Sequence, residues 1–147
     1  LVTGSTVKTV LKVAYDGTRY CGFQLQAGEP TIQGELEEAL FKLTGTRIRV
    51  LAASRTDSGV HARGQVVSFR AGAGLPPEAY VKGLNHYLPE DIAVRGASRV
   101  DDAFDVRRDA VSREYRYCID NSRTRSPLER AYTHLVTGRL DTGAMDR

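Results

Sequence analysis

Apolar residues along this chain recur with two different periods, and the order of those periods limits the fold more than any other feature. Val7, Thr9, Leu11, Val13 and Tyr15 alternate with Lys8 and Lys12, which predicts a strand with one buried face. Asp16-Gly17 closes it as a turn. Ile32, Leu36, Ala39, Leu40 and Leu43 then recur at helical spacing across Thr31 to Leu43. Pro30 and Thr31 mark the start of this helix and Gly45 its end. Glu35, Glu37 and Glu38 stand early and Lys42 late, the arrangement that suits the helix dipole. Two β-compatible runs follow, Ile48 to Ala53 and Gln65 to Arg70. Pro77 opens a second helical stretch that ends at Leu88, striped by Tyr80, Val81, Leu84 and Leu88. Ile92 to Val100 reads as a further strand. The order strand, helix, strand, strand, helix, strand is that of an α+β, ferredoxin-like βαββαβ domain, with two helices over one face of an antiparallel sheet.

Between the two middle runs lies a polar loop, Ser54-Arg55-Thr56-Asp57-Ser58-Gly59-Val60-His61-Ala62. Loops held on a rigid sheet are where reactive groups are presented. Asp57 is the only carboxylate between Glu38 and Glu78. It therefore has no local acid/base partner, and chemistry here would use it as a nucleophile or base together with groups from elsewhere in the fold. The plainer reading is an Asx-type turn, with the Asp57 side chain bonded to backbone near Gly59. Asp57 and His61 do not suffice for a metal site, which needs three or four ligands; His61 is expected to fix the loop instead.

The net charge is +3, and its distribution says more than its size. Between residues 107 and 130, seven arginines stand against four acids, which accounts for the whole excess. Arginine at that density suits bidentate, salt-sensitive contacts to phosphate, or else a solvated face of ion pairs. Ala110 to Ile119 alternates and predicts a strand, Asn121 to Arg130 a basic loop, Ala131 to Val136 a short strand. Cys21 and Cys118 are too few and too far apart for a disulfide framework or a zinc site, as expected of a reducing cytoplasm. No secretory signal is visible, and the apolar runs are too short to span a bilayer.

Several of these stretches together carry a resemblance. Tyr15-Asp16-Gly17-Thr18-x-Tyr20-x-Gly22-Phe23-Gln24-x-Gln26, the Arg55-Thr56-Asp57-x-Gly59-Val60-His61-Ala62 loop, Asn85-x-x-Leu88-Pro89-x-Asp91-Ile92, Phe104-x-x-Arg107 and Arg113-x-Tyr115-Arg116-Tyr117 stand in the order of the TruA-family tRNA pseudouridine synthases. The likeness runs from about Leu11 to about Val136. Ser54 and Ser58 replace the Gly and Ala common in the family's loop, and Asp105 and Val106 depart from its Phe-to-Arg element. The resemblance implies that Asp57 is the nucleophile for isomerising uridine in the anticodon arm of tRNA, by attack on C6 of the base or C1′ of the ribose. It makes Tyr115 an active-site residue, which could stack on the uracil and take the C5 proton. Gln24, Arg55, Arg113, Arg116 and Arg123 are the candidate RNA contacts. No metal or organic cofactor is implied, and the full-length protein is expected to be a homodimer. The chain resembles an N-terminal portion: residues 1–106 as the ferredoxin-like domain and 107–147 as the start of a second catalytic half, with an unfinished helix near its end. The competing reading is a non-catalytic RNA-binding module on the same fold, though no RNP-type aromatic motif lies on the strands. A ferredoxin-like regulatory domain for small molecules would instead show no affinity for RNA.

Overall fold

The computed structural model describes residues 4–147, which fall into two compact units divided after Val111. In the first unit the elements follow as β1 (Thr6–Tyr15), α1 (Ile32–Thr44), β2 (Leu51–Ala52), β3 (Ala62–Gly72), α2 (Pro77–Tyr87) and β4 (Ile92–Val100). The strands form one antiparallel sheet in the order β2-β3-β1-β4. This is the βαββαβ arrangement that the two periods predict.

Leu11, Val13 and Tyr15 of β1, Val67 and Phe69 of β3 and Ile92 and Val94 of β4 share a single core with Ile32, Leu36 and Leu40 of α1 and Tyr80 and Leu84 of α2. Each large apolar side chain so buried contributes about 1.5–3 kcal/mol relative to exposure. The α1 boundaries follow from its caps: the Thr31 hydroxyl accepts from Gly34 N–H at 3.1 Å, and Gly45 N–H donates to the Phe41 carbonyl at 2.8 Å. At α2, Pro77 occupies the first turn, where its missing N–H costs nothing. Near the C-terminus of α2, the Asn85 side chain donates to the Val94 carbonyl at 2.8 Å and accepts from Val94 N–H at 2.7 Å. It thereby satisfies both backbone groups of one residue in the edge strand β4.

The first run flanking the polar loop is paired over only two of its residues, Leu51 and Ala52. The reason is an alternative partner: Val50 N–H donates to Glu37 Oε1 of α1 at 3.0 Å, so the chain before Leu51 is tied to the helix rather than to β3. Opposite the helices, the sheet has an open face. The connector after β4 crosses part of it. Lys8 Nζ donates to the carbonyls of Asp102 and Phe104, Arg70 pairs with Asp102 at 2.8 Å, and Arg107 Nε reaches the Ala52 carbonyl at 3.2 Å.

The second unit, Ser112–Arg147, contains β5 (Ile119–Asp120) and β6 (His134–Leu135), paired in parallel, and a single-turn helix α3 (Thr142–Met145). The alternation over Ala110 to Ile119 predicts a longer strand than forms. Only Ile119 and Asp120 are paired, while Val111, Tyr115 and Tyr117 are exposed. Alternation specifies which faces a strand would have, but a strand also requires a ladder partner, and the pairing with β6 begins only at the Cys118 carbonyl, which accepts from His134 N–H at 2.8 Å.

Two stability changes follow. Thr9 is buried in the core and its hydroxyl has no hydrogen-bond partner among the described residues. Thr9→Val keeps the shape and removes an unpaired polar atom, so it is expected to stabilise by about 1 kcal/mol. Asn85→Ala leaves the two Val94 groups to find water and is expected to destabilise by about 1 kcal/mol. Both are read from the urea midpoint at unchanged slope; a lowered midpoint for Thr9→Val would show that its hydroxyl is satisfied after all.

Candidate functional site

The polar loop after β2 is held from two sides through its main chain. On one side lies the loop between β1 and α1. There Phe23 N–H donates to the Thr56 carbonyl at 3.0 Å, and the Tyr20 carbonyl accepts from Gly59 N–H at 3.2 Å and from the Ser58 hydroxyl at 3.3 Å. The two loops approach so closely that side chains are excluded. A Cβ on Gly22, whose φ is +83°, would lie 2.9 Å from the Thr56 oxygen, and one on Gly17 would lie 2.0 Å from the Val60 oxygen. The far side of the same loop is tied to the start of α1. Gln33 N–H donates to the Phe23 carbonyl at 2.9 Å, and Leu25 N–H donates to Gln33 Oε1 at 2.9 Å.

Support on the other side comes from the core. The Tyr15 hydroxyl and Thr56 Oγ1 are 2.7 Å apart, and Gln65 Nε2 donates to the Ser54 carbonyl at 2.7 Å and to the Tyr15 oxygen at 3.4 Å. Burial pushes the Tyr15 phenol up, against the smaller opposing effect of its Thr56 and Gln65 hydrogen bonds, so it stays protonated. Tyr20 behaves alike: burial first, then the hydrogen bond to Asp91, raises its phenol well above the ordinary value. Its hydroxyl donates to Asp91 Oδ1 at 2.6 Å, while Arg19 holds Asp91 Oδ2 at 2.8 Å.

The His61 ring ties the loop to the end of β1. Its Nδ1 accepts from Gly17 N–H at 2.9 Å, which places the ring proton on Nε2. Asp16 Oδ1 also lies 3.2 Å from Nδ1, but this oxygen already accepts from Thr18 N–H and the Thr18 hydroxyl. The Gly17 bond therefore decides the tautomer. Among the described residues, no group of three His, Cys, Asp or Glu side chains is placed to hold a metal ion.

The Asx turn of this region is at Asp16, not at Asp57. At Asp57 the main-chain carbonyl accepts from Val60 N–H at 3.1 Å, and the carboxylate is exposed with no hydrogen bond or ion pair to any described residue. The loop is anchored through Ser54, Thr56, Ser58 and Gly59, while the Asp57 carboxylate has no ion pair among the described residues. Such a carboxylate can act as a nucleophile or a base toward whatever is brought to it. Among the described residues, Arg55 is exposed and makes no ion pair within 4.0 Å, and none other than glycine takes positive φ, so Ser54 sits unstrained. Gln24 is exposed and follows Phe23, whose N–H bonds Thr56, so the backbone brings Gln24 and Asp57 into neighbouring loops. Tyr115, Arg113, Arg116 and Arg123 belong to the second unit. All four are exposed, and Arg116 Nε pairs with Glu114 at 2.9 Å.

Sequence patterning misses two supports of this site. Tyr15 reads as an ordinary inward-facing strand residue. Gln65 is a polar residue at an inward position beside Val67 and Phe69, and that mismatch is the signal that could have identified it.

Gly22→Ala combines a positive-φ cost of about 1 kcal/mol with the approach to Thr56. Gly28 also has positive φ, +75°, but nothing within 4 Å of an added Cβ. Chemical denaturation is expected to show Gly22→Ala costing at least about 1 kcal/mol more than Gly28→Ala; equal costs would mean that the two loops yield freely.

The family model for tRNA pseudouridine synthase matches residues 11–109, which include the whole Asp57 loop. Proteins named tRNA pseudouridine synthase A are similar over nearly the whole chain. That of Roseiflexus castenholzii is 48% identical across 93% of this chain and 51% of its own length. That of Myxococcus xanthus is 49% identical across 92% and 51%, and that of Geotalea daltonii 47% identical across 92% and 55%. The chain spans about half the length of the curated relatives it matches.

Proposed function

The chain belongs to the tRNA pseudouridine synthase family, and from that premise we propose that the full-length protein isomerises uridine to pseudouridine in the anticodon arm of tRNA, with Asp57 as nucleophile. The observation that carries this reading is the exposed, unneutralised carboxylate on an anchored loop. A structural aspartate would be expected to spend its oxygens on the turn, as Asp16 does.

In this reaction the bond from ribose C1′ to N1 of uracil breaks, the base turns, and a C–C bond forms from C1′ to C5. The C5 proton leaves and N1 gains one, so no atom is lost and no redox partner is needed. Asp57 holds the substrate by a transient covalent bond while the base turns. Its anionic form must persist beside the phosphates of the RNA, which requires a cation nearby. Arg55, two residues earlier, fills that role or contacts phosphate. Tyr115 stacks on the uracil once the nucleotide has left its helix and takes the C5 proton. Gln24 meets the target from the neighbouring loop, and Arg113, Arg116 and Arg123 contribute phosphate contacts. No metal or organic cofactor enters this chemistry. The proposed setting is the cytoplasm and the proposed assembly a homodimer. No helix among the described residues is long and apolar enough to cross a membrane.

Asp57→Asn in the full-length protein is expected to abolish tritium release from C5-labelled uridine in tRNA while leaving tRNA affinity within a few-fold. Turnover near that of the unchanged protein would refute the nucleophile assignment. Binding by the unchanged protein without any release would point to the non-catalytic RNA-binding module instead.

A further inference from the structure

On the open face of the sheet, both neighbours of β1 slip register at the same level. Along β4, Lys12 lies opposite Gly96 and Val13 opposite Val94, so Arg95 is an extra, unmatched residue. Along β3, Val13 lies opposite Gln65 and Tyr15 opposite Ala62, so Arg63 and Gly64 together face Ala14 alone. Bulges of this kind re-aim side chains and are frequent beside functional sites. Here each of the two bulges carries an arginine.

Arg63 and Arg95 line the same concavity as Lys12 of β1, a cavity of about 690 Å³ whose walls include Tyr15, Asp16 and Ala62. Those last three residues are where the two site loops leave the sheet. Gly64 makes room for Lys12: a Cβ there would lie 2.9 Å from Lys12 Cε, so the lysine stem runs across the glycine on the neighbouring strand. All three cations are exposed, and none makes a hydrogen bond or ion pair with a described residue. The acids of the same wall are differently placed. Asp91 is engaged by Arg19 and Tyr20 and Asp16 by Thr18, leaving Glu90 exposed at the rim.

We propose that Lys12, Arg63 and Arg95 form a phosphate cradle that seats the RNA backbone next to the Asp57 loop. The proposal rests on the RNA-modifying reading above and adds to it backbone contacts from residues outside the arginine-rich segment. Two arginines and a lysine converging on one concavity suit successive phosphodiesters, which arginine grips as a fork and lysine as a point charge. A cradle at the root of both site loops fixes where the strand lies, and with it which nucleotide can reach Asp57.

The test is the salt dependence of tRNA binding by the full-length protein and its variants. Lys12→Gln, Arg63→Gln and Arg95→Gln are each expected to reduce the slope of log K against log salt by about 0.7–0.9, as loss of one phosphate contact does, and to weaken binding several-fold. Arg63→Lys and Arg95→Lys, which keep the charge, are expected to restore the slope and most of the affinity. Arg47→Gln is the control, since Arg47 pairs with Glu38 and lies over the Phe41 ring; its slope is expected to match that of the unchanged protein. Slopes unchanged in all three Gln variants, while the unchanged protein binds and isomerises tRNA, would overturn the cradle and leave the proposed function standing. A failure of the Lys variants to restore the slope would equally overturn it, by showing that the effect is not one of charge. If the unchanged protein neither binds tRNA with a salt dependence nor releases tritium, the functional reading falls and the cradle with it.

Discussion

The hydrogen bond from Phe23 N–H to the Thr56 carbonyl joins the two loops on which the site depends. It forms only because Gly22 lacks a side chain and accepts positive φ. Around that single bond the other ties fall into place: Tyr20 with Gly59 and Ser58, Gly17 with His61, and Phe23 with the start of α1. The sheet then fixes the assembly from below through Tyr15 and Gln65. Both loops are thus extensions of the core, and the tip of one inherits the rigidity of β1 and β3.

Within this frame, charge is managed selectively. Asp16 and Asp91 lie in the same region as Asp57 and have every reason to repel it, yet both are taken up by donors from their own surroundings. Of these three, Asp57 is the one left to solvent. A paired carboxylate would have to break that pairing before reacting, whereas an exposed one exchanges only water. The side chains of Arg63 and Arg95, on the open face, likewise have no partner among the described residues. Charge of both signs is thus exposed in this region without a partner among the described residues.

Much of the fold was legible in the amino-acid order because buried faces impose strict periods. The inward row of β1 and the stripe of α1 could each be read residue by residue, down to Thr31 and Gly45 at the ends of the helix. What was not legible involves partners distant in sequence. Nothing near Val50 announces that its N–H goes to Glu37, which shortens β2. Nothing in the alternation of residues 110–119 reveals whether a neighbouring strand is present to pair with it. At the site, the loop and its Asp57 could be singled out locally, but the Asx turn fell at Asp16, because a turn is decided by which carboxylate the backbone folds back upon. Register slips are similarly invisible in a single strand, since a bulge is a relation between two.

The Asn85 side chain has a further consequence. An edge strand is a template: its unpaired N–H and C=O groups invite a strand from another molecule, which is how sheets grow into aggregates. With its amide bonded to both backbone groups of Val94, Asn85 occupies the middle of that template as a terminating peptide would. A chain approaching β4 edge-on would have to displace it before continuing the ladder. The same two bonds that hold α2 to the sheet thus occupy the two backbone groups of Val94 that an added strand would need.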